Sequence, residues 1–367
     1  NGYELLAGSK NEKYTGIIIN YSLERKSEIK KVSIKNKSFQ KEKSIKVGLL
    51  GAGQFAQGIL LPALKSTQNV NFEGVATISG LTSLNVAKKY NAKFCTSDYK
   101  DLINNEKINL VFITTRHDTH AQFIEESLNA NKNCYVEKPL ALNEKELKRV
   151  IKAYKNNESI LMVGFNRRFS PYSKKLRDNF SGSKLIMNYR INAGFISKEK
   201  WQQSHEEGGG RIVGEICHFV DLLQFVCGSK PISVRTSVID DNSSEYDPDN
   251  LIILIDFSNG SSASIIYSSA GSNKYSKERI EVFGDKKVGI IDSWQSLIIV
   301  GDGLNIQDKS LLSSEKGFKE EIQTLLNGIK KGFSPIPFEE IISTTRTTFA
   351  IQESIKYGTK IEINNNL

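Results

Sequence analysis

The sequence predicts an α/β protein: an N-terminal doubly wound parallel sheet, then an α+β part built on a large, mostly antiparallel open sheet. Three observations carry this. Strand and helix patterns alternate strictly from Ile45 to Gly164, which is the mark of a parallel sheet. Gly51-Ala52-Gly53-Gln54-Phe55-Ala56 follows the first strand directly and opens the first helix. From about Ile232 onward, strands follow one another with local turns, which means antiparallel pairing.

Each element follows from its pattern. Residues 45–50 are an apolar run suited to a strand buried on both faces. Residues 55–66 have helical periodicity. Further strand patterns lie at 71–78, 93–95, 109–114, 133–136 and 160–164, with helical patterns at 82–90, 98–104, 120–131 and 143–156 between them. After Gly164 the alternation stops. One helix is expected from about 210 to 227, then strands at 232–239, 251–257, 262–268, 279–283, 288–291 and 297–300. Phe257-Ser258-Asn259-Gly260-Ser261 predicts a hairpin closed by a type I′ turn, because Asn-Gly tolerates positive φ. Helices at 316–331 and 338–357 close the chain. Ahead of residue 45 only 15–19 and 31–34 read as strands, too little to close a core.

The 367 residues suffice for two domains of ordinary size, and 39% hydrophobic against 25% charged residues excludes a disordered chain. A net charge of +9 raises the question of a nucleic-acid partner. Residues 1–46 hold eleven Lys and Arg against five acids, two-thirds of the excess. The rest is nearly neutral, so neither a phosphate-backbone grip nor a membrane partner is expected. Cys95, Cys134, Cys217 and Cys227 form no C-x-x-C. A reducing cytoplasm is expected, and no metal site.

The glycine segment matches G-x-G-x-x-A inside a βαβ unit, the arrangement of a Rossmann dinucleotide site. Gly51 permits the tight turn, Gly53 lets backbone approach a pyrophosphate, and Ala56 keeps helix and sheet close. Gln54 and Phe55 begin the helix whose N-terminus faces the phosphates. No acid ends the second strand; Thr77 and Ser79 stand there, with Lys88 and Lys89 downstream. That tilts the expected cofactor, NAD or NADP, toward NADP. Thr114, Thr115, Arg116, His117 and His120 follow the fourth strand, where ligands of doubly wound sheets bind. His120 reads equally as a cap or packing residue of the following helix.

Cys134-Tyr135-Val136-Glu137-Lys138-Pro139 ends the fifth strand in the same crevice. Lys138 is placed to exchange a proton with an alcohol oxygen. Pro139 restricts Lys138 to extended backbone and is a candidate for a cis bond. Glu206-Glu207-Gly208-Gly209-Gly210-Arg211 leads into a helix on which Glu215, His218 and Asp221 are spaced by three. Either His218 is an acid/base group oriented by a carboxylate, or it is a core histidine bonded to Asp221.

Together with Gly164-Phe165-Asn166-Arg167-Arg168-Phe169, these motifs in this order resemble the glucose–fructose oxidoreductase / inositol dehydrogenase (Gfo/Idh/MocA) family over about residues 45–360. The resemblance implies NAD(P)-dependent hydride transfer to or from a sugar, polyol or related carbonyl. It makes Lys138 and His218 the acid/base pair, with Glu215 beside them. The family carries an Asp four residues before the His; here that position is Gly214, so either Glu215 substitutes, one residue displaced, or the site works with Lys138 and His218 only. Glu137 and Arg167 join the cofactor contacts, and Arg168, Trp201, Arg211 and Asp221 become substrate candidates. The segment to Cys217-His218-Phe219-Val220-Asp221 looks like that of two-part proteins with an upstream alcohol-dehydrogenase-like domain.

The expected division is a leader, linker or upstream remnant over 1–44, a Rossmann domain over 45–163, and a substrate and oligomerisation domain over 164–367. An open sheet with an apolar face predicts a homo-oligomer, dimer or tetramer. Two rival functions remain: a redox-neutral NAD-dependent glycoside-processing enzyme, and a non-catalytic dinucleotide-binding module.

Overall fold

The computed structural model describes residues 30–33, 44–67, 70–239, 248–310, 314 and 316–366. The strand expected at 15–19 lies outside them. The first sheet is built from β1 (Lys31–Ser33), β2 (Ile45–Leu50), β3 (Val70–Ala76), β4 (Phe94–Thr96), β5 (Leu110–Ile113), β6 (Asn133–Val136) and β7 (Leu161–Val163). Their order is β1-β4-β3-β2-β5-β6-β7. All pairings are parallel except that of β1, which adds antiparallel to β4 with Val32 opposite Cys95. The short pattern at 31–34 therefore ends on the edge of this sheet. The central strands are buried on both faces, which is why they read as unbroken apolar runs.

Helices α1 (Leu61–Lys65), α2 (Gly80–Tyr90), α3 (Lys100–Ile103), α4 (His120–Asn129) and α5 (Glu144–Lys155) cover this sheet. A π turn over Ala56–Leu60 precedes α1. Asn143 caps α5: its Oδ1 accepts from the Glu146 N–H at 3.0 Å, and Glu146 Oε2 accepts from the Leu142 N–H at 2.8 Å.

Helix α6 (Pro171–Phe180) and strand β8 (Ile186–Asn192) come next, and neither was expected. β8 alternates buried Met187, Tyr189 and Ile191 with partly exposed Asn188 and Arg190, so its period-2 signal was present. Helix α7 (Cys217–Cys227) follows. Then come β9 (Pro231–Val238), β10 (Asn250–Phe257), β11 (Ser262–Ser268), β12 (Glu278–Gly284), β13 (Lys287–Asp292), β14 (Ser296–Gly301) and β15 (Leu304–Lys309). Helices α8 (Phe318–Lys331) and α9 (Phe338–Tyr357) and strand β16 (Ile361–Glu362) complete the order.

The second sheet runs β15-β14-β13-β12-β8-β11-β10-β9-β16. β8 pairs parallel with β11; every other pairing is antiparallel. The β10–β11 hairpin forms, but its turn needs a correction. Only Gly260 takes positive φ, 85°, and Asn259 does not. Asn259 is held instead by its side chain, whose Oδ1 accepts from the Ser261 N–H at 3.0 Å. The turn is therefore the three-residue kind that ends on a left-handed glycine, not type I′.

One face of the second sheet packs on Leu176 and Phe180 of α6, Phe219 and Leu223 of α7, and Ile351 of α9. The other face shows Ile186, Ile252, Leu254 and Ile266 to solvent. Ile322 and Leu325 of α8 and Ile341 of α9 return to the core of the first sheet. No described helix is long and apolar enough to cross a membrane.

Candidate active site

The strand order of the first sheet reverses between β2 and β5, which opens a crevice at their carboxyl ends. Gly51 sits there at φ 84°, and a Cβ would lie 2.7 Å from the Thr114 carbonyl oxygen. Its N–H donates to the Ala76 carbonyl at 2.9 Å, and its carbonyl accepts from the Thr114 hydroxyl at 2.9 Å. The loop is clamped to β3 and β5. At Gly53 a Cβ would meet nothing within 4 Å. Ala56 is buried against the sheet, and Gln54 is exposed. Phe55 packs on Phe318 with centroids 5.7 Å apart. Bare backbone at a helix start is the cradle a pyrophosphate requires, so these residues fit a nicotinamide dinucleotide.

The ribose end differs from expectation. Ser79 Oγ caps α2 by accepting from the Thr82 N–H at 3.4 Å, and the Thr77 hydroxyl donates to the Ser79 carbonyl at 2.6 Å. Lys88 and Lys89 lie in the last turn of α2, about 13 Å along the axis from Ser79 at the usual helical rise. They do not reach a group bound there, so the tilt toward NADP loses its cations.

Lys138 leaves β6 into the same crevice, and the Lys138–Pro139 bond is cis. Its ammonium donates to the Gly214 carbonyl oxygen. Glu137 Oε1 accepts from the Tyr135 hydroxyl at 2.7 Å, and the same hydroxyl lies 3.3 Å from Glu321 Oε2. Burial pushes the Glu137 carboxyl up to about 7 and raises Glu321 well above the usual range. His120 is fully buried: Nδ1 lies 2.8 Å from the Pro139 carbonyl and Nε2 3.3 Å from that of Thr115. It anchors the Lys138 loop and is closed off from a cofactor, so its expected cofactor contact is corrected. Burial lowers its pKa to about 4.

The buried His117 has Nδ1 2.7 Å from the Gly208 carbonyl. Its ring meets Trp201 edge-on at 4.8 Å. The Thr119 hydroxyl donates to that of Thr115 at 2.6 Å. Arg116 pairs with Glu207 and lies over the Trp201 ring at 5.7 Å. Arg116, Trp201, Lys198 and Lys200 line a groove of about 640 Å³.

The structure separates the residues that helical spacing had grouped. Asp221 accepts from Arg168 Nε at 2.9 Å and from Nη2, and Arg168 Nη1 donates to Glu340 at 2.8 Å. Arg168 and Asp221 are buried, and an enclosed charge persists only when paired. Both are corrected from substrate contacts to a structural pair. Arg167, expected at the cofactor, donates from Nε and Nη2 to Glu278, each at 2.8 Å. Glu278 also accepts from the Tyr189 hydroxyl at 2.7 Å and Trp294 Nε1 at 2.9 Å. Arg211, expected at the substrate, is buried on Glu215 (2.9 and 2.7 Å) and the Gly194 carbonyl (3.1 Å).

Glu215 further accepts from the Tyr267 hydroxyl at 2.6 Å and Lys277 at 3.0 Å. Burial would raise its pKa, but Lys277, Arg211 and Tyr267 outweigh it and hold the carboxyl down at about 2. Its oxygens are taken by Arg211, Tyr267 and Lys277, which places Glu215 in an ion-pair cluster. It does not stand in for the Asp implied by resemblance at Gly214, where a Cβ would lie 2.9 Å from the Gly208 carbonyl oxygen.

His218 is left without an orienting carboxylate: its buried Nδ1 has no hydrogen-bond partner. Burial first, then Arg167, Lys138, Lys277 and Lys316, push its pKa well below the usual imidazole value. Lys277 and Lys316 were missed. They flank a strand and a helix, and no sequence pattern marks them.

Residues 45–165 match an oxidoreductase family's NAD-binding Rossmann fold, and residues 185–363 match the C-terminal alpha/beta domain of that family. Uncharacterized oxidoreductase YrbE of Bacillus subtilis is 24% identical over 333 residues, covering 88% of this chain and 97% of that protein. Inositol 2-dehydrogenase of Rhizobium meliloti is 25% identical over 305 residues, covering 80% and 91%. Two solved structures share the fold. Levoglucosan dehydrogenase in complex with NADH and levoglucosan has a TM-score of 0.78 at 18% identity, covering 88% of this chain and all of that one. The oxidoreductase domain protein from Kribbella flavida scores 0.76 at 21%, covering 88% and 99%. With both halves matched in order around one crevice, the chain belongs to the Gfo/Idh/MocA family of NAD-binding oxidoreductases.

Proposed function

We propose that this chain is an NAD-dependent dehydrogenase or reductase acting on a sugar, polyol or related carbonyl. The observation that carries the reading is Lys138, a strand-end ammonium in the dinucleotide crevice tied to the turn before His218. Gly51, Gly53, the helix start at Gln54 and the hydroxyl of Ser79 would hold the dinucleotide. When bound, it supplies hydride exchange at its nicotinamide ring. Lys138 Nζ exchanges a proton with the substrate oxygen as hydroxyl and carbonyl interconvert. His218, kept neutral by burial and by the cations around it, hydrogen-bonds the substrate beside Lys138. Trp201 and Arg116 form the rim. Loss of the lysines from the ribose end supports NAD over NADP. The exposed apolar face of the second sheet supports a homo-oligomer.

The relatives named inositol 2-dehydrogenase and levoglucosan dehydrogenase support a polyol or sugar substrate. Fluorescence titration with NADH and NADPH, then a panel of polyols and sugars followed by absorbance of the reduced cofactor, tests the reading. Binding of NADH with net reduction of NAD is the expected result. Failure to bind either dinucleotide overturns it, and substrate turnover without net cofactor reduction favours the redox-neutral rival.

A further inference from the structure

We propose that His117 is a positioning residue for the Lys138 ammonium: it fixes the Gly208 carbonyl and, with it, Gly214, whose own carbonyl the ammonium holds. The consequence for turnover rests on the dehydrogenase reading above; the placement does not.

Three contacts run from His117 to Lys138. His117 Nδ1 lies 2.7 Å from the Gly208 carbonyl oxygen. A carbonyl only accepts, so Nδ1 carries the proton and donates it. That carbonyl oxygen in turn lies against Gly214. A Cβ on Gly214 would be 2.9 Å from the Gly208 oxygen, 3.2 Å from His117 Cε1 and 3.4 Å from His117 Nδ1. Gly214 is therefore seated between a carbonyl and an imidazole, with no room for a side chain. Its carbonyl accepts from the Lys138 ammonium.

The imidazole is itself held from several sides. It is buried, with the Trp201 ring edge-on at 4.8 Å and the His120 ring at 5.5 Å. The neighbouring Asp118 N–H donates to the Glu207 carbonyl at 3.2 Å. The N–H groups of Gly208 and Gly209 both donate to the Ser204 carbonyl, at 2.9 and 2.8 Å. The segment from Trp201 to Gly209 thus closes on His117 and presents the Gly208 carbonyl to its ring.

These contacts bear on the chemistry because a lysine ammonium rides on a flexible four-carbon stem. A misplacement of about 1 Å can cost about 10²-fold in rate. His117 also adds no like charge near Lys138: burial first, then the charges of Lys138 and His120, hold it neutral.

Trace labelling of the full chain with acetic anhydride tests the placement, read by peptide mass spectrometry as the acetylation rate of Lys138. Lys132, whose ammonium donates to the Asn105 carbonyl at 3.0 Å, is the internal reference. His117→Phe keeps a ring but loses the donor, and Lys138 should then label several-fold faster relative to Lys132. His117→Asn keeps an N–H at the Nδ1 position and should label like the parent. Gly214→Ala disturbs the same joint from its other side and should label like His117→Phe. With NAD and myo-inositol or levoglucosan, His117→Phe should lower kcat about tenfold or more, with KM and NADH affinity changed less, and His117→Asn should recover most of the loss. Added to Lys138→Met, His117→Phe should cost nothing further, since the two act as one unit. Parent-like labelling in both His117→Phe and Gly214→Ala, an asparagine variant no better than phenylalanine, or a full further loss on top of Lys138→Met overturns the inference. If His117→Phe does not fold, Gly214→Ala against the parent decides; if neither substrate is oxidised, the labelling decides. Failure of the dehydrogenase reading shows separately, as failure to bind either dinucleotide, and leaves the labelling result standing.

Discussion

The Lys138 ammonium donates to the Gly214 carbonyl oxygen, and that single contact joins the end of β6 to the π turn (Ile212–Ile216) ahead of His218. The two proton-handling candidates come from the end of β6 and from α7, and this bond ties the segments that carry them. Lys138→Met removes the proton carrier while leaving the Gly53 cradle intact. Turnover is expected to fall about 10²- to 10⁴-fold, with NADH affinity nearly unchanged by fluorescence titration. Unchanged turnover would remove Lys138 from the chemistry.

Gly51 and Gly53 are two residues apart but face opposite demands. A Cβ at Gly51 collides with the Thr114 carbonyl, whereas one at Gly53 projects into open space. Gly51→Ala is expected to cost about 1–3 kcal/mol of stability. Gly53→Ala should melt like the parent and yet bind NADH about tenfold or more weakly. Thermal melts and cofactor titrations on the same two preparations check this contrast.

Glu321 offers a pH test. Its enclosed carboxyl is raised well above the usual value by burial and then by Glu137. The folded chain therefore keeps a proton that the unfolded chain releases. That contribution is full below the unfolded pKa and is lost as pH rises toward the folded one. Glutamine mimics the protonated form and still accepts from Tyr135. Glu321→Gln should melt higher than the parent at about pH 8, and the gap should close toward about pH 5.

His120 has the opposite sign. Its pKa falls from the ordinary 6.5 to about 4 in the fold. Below pH 6.5 the unfolded chain takes up the proton first, so stability drops as pH falls from there to about 4. The integrated loss is about 3 kcal/mol. Denaturant unfolding of the parent and His120→Gln at several pH values should show the stability gap shrinking on acidification. A constant gap would sink this account.

Arg168 and Asp221 give a stability test that separates a structural pair from a substrate contact. Asp221→Asn leaves a buried guanidinium short of charge and is expected to cost about 3–5 kcal/mol. A change in KM with no loss of stability would return the pair to the substrate site.

Much of the first sheet was legible because its central strands are buried on both faces and its turns carry glycine or proline. β6 and the Glu137-Lys138-Pro139 step stood out for that reason. β8 went unseen although it lies between β12 and β11 and follows the Ser181-Gly182-Ser183 turn, since Asn188, Arg190 and Asn192 interrupt its apolar run. The hairpin at Gly260 was legible as a hairpin but not as a turn type, because the Asn259 side chain, not its backbone, supplies the extra bond.

The charged residues divide differently. Residue type and spacing were enough to place a dinucleotide crevice, a strand-end lysine and a histidine on a following helix, since these depend on local backbone geometry. Which cation meets which carboxylate was not readable. Arg167 with Glu278, Arg168 with Asp221 and Lys277 with Glu215 pair across 53 to 111 residues of chain. Only the packing of the second sheet against α7 brings them together, and desolvation then requires each buried charge to find a partner. That requirement pairs Arg168 with Asp221, Arg167 with Glu278 and Arg211 with Glu215, while Lys138 donates to the Gly214 carbonyl and the buried Nδ1 of His218 has no hydrogen-bond partner.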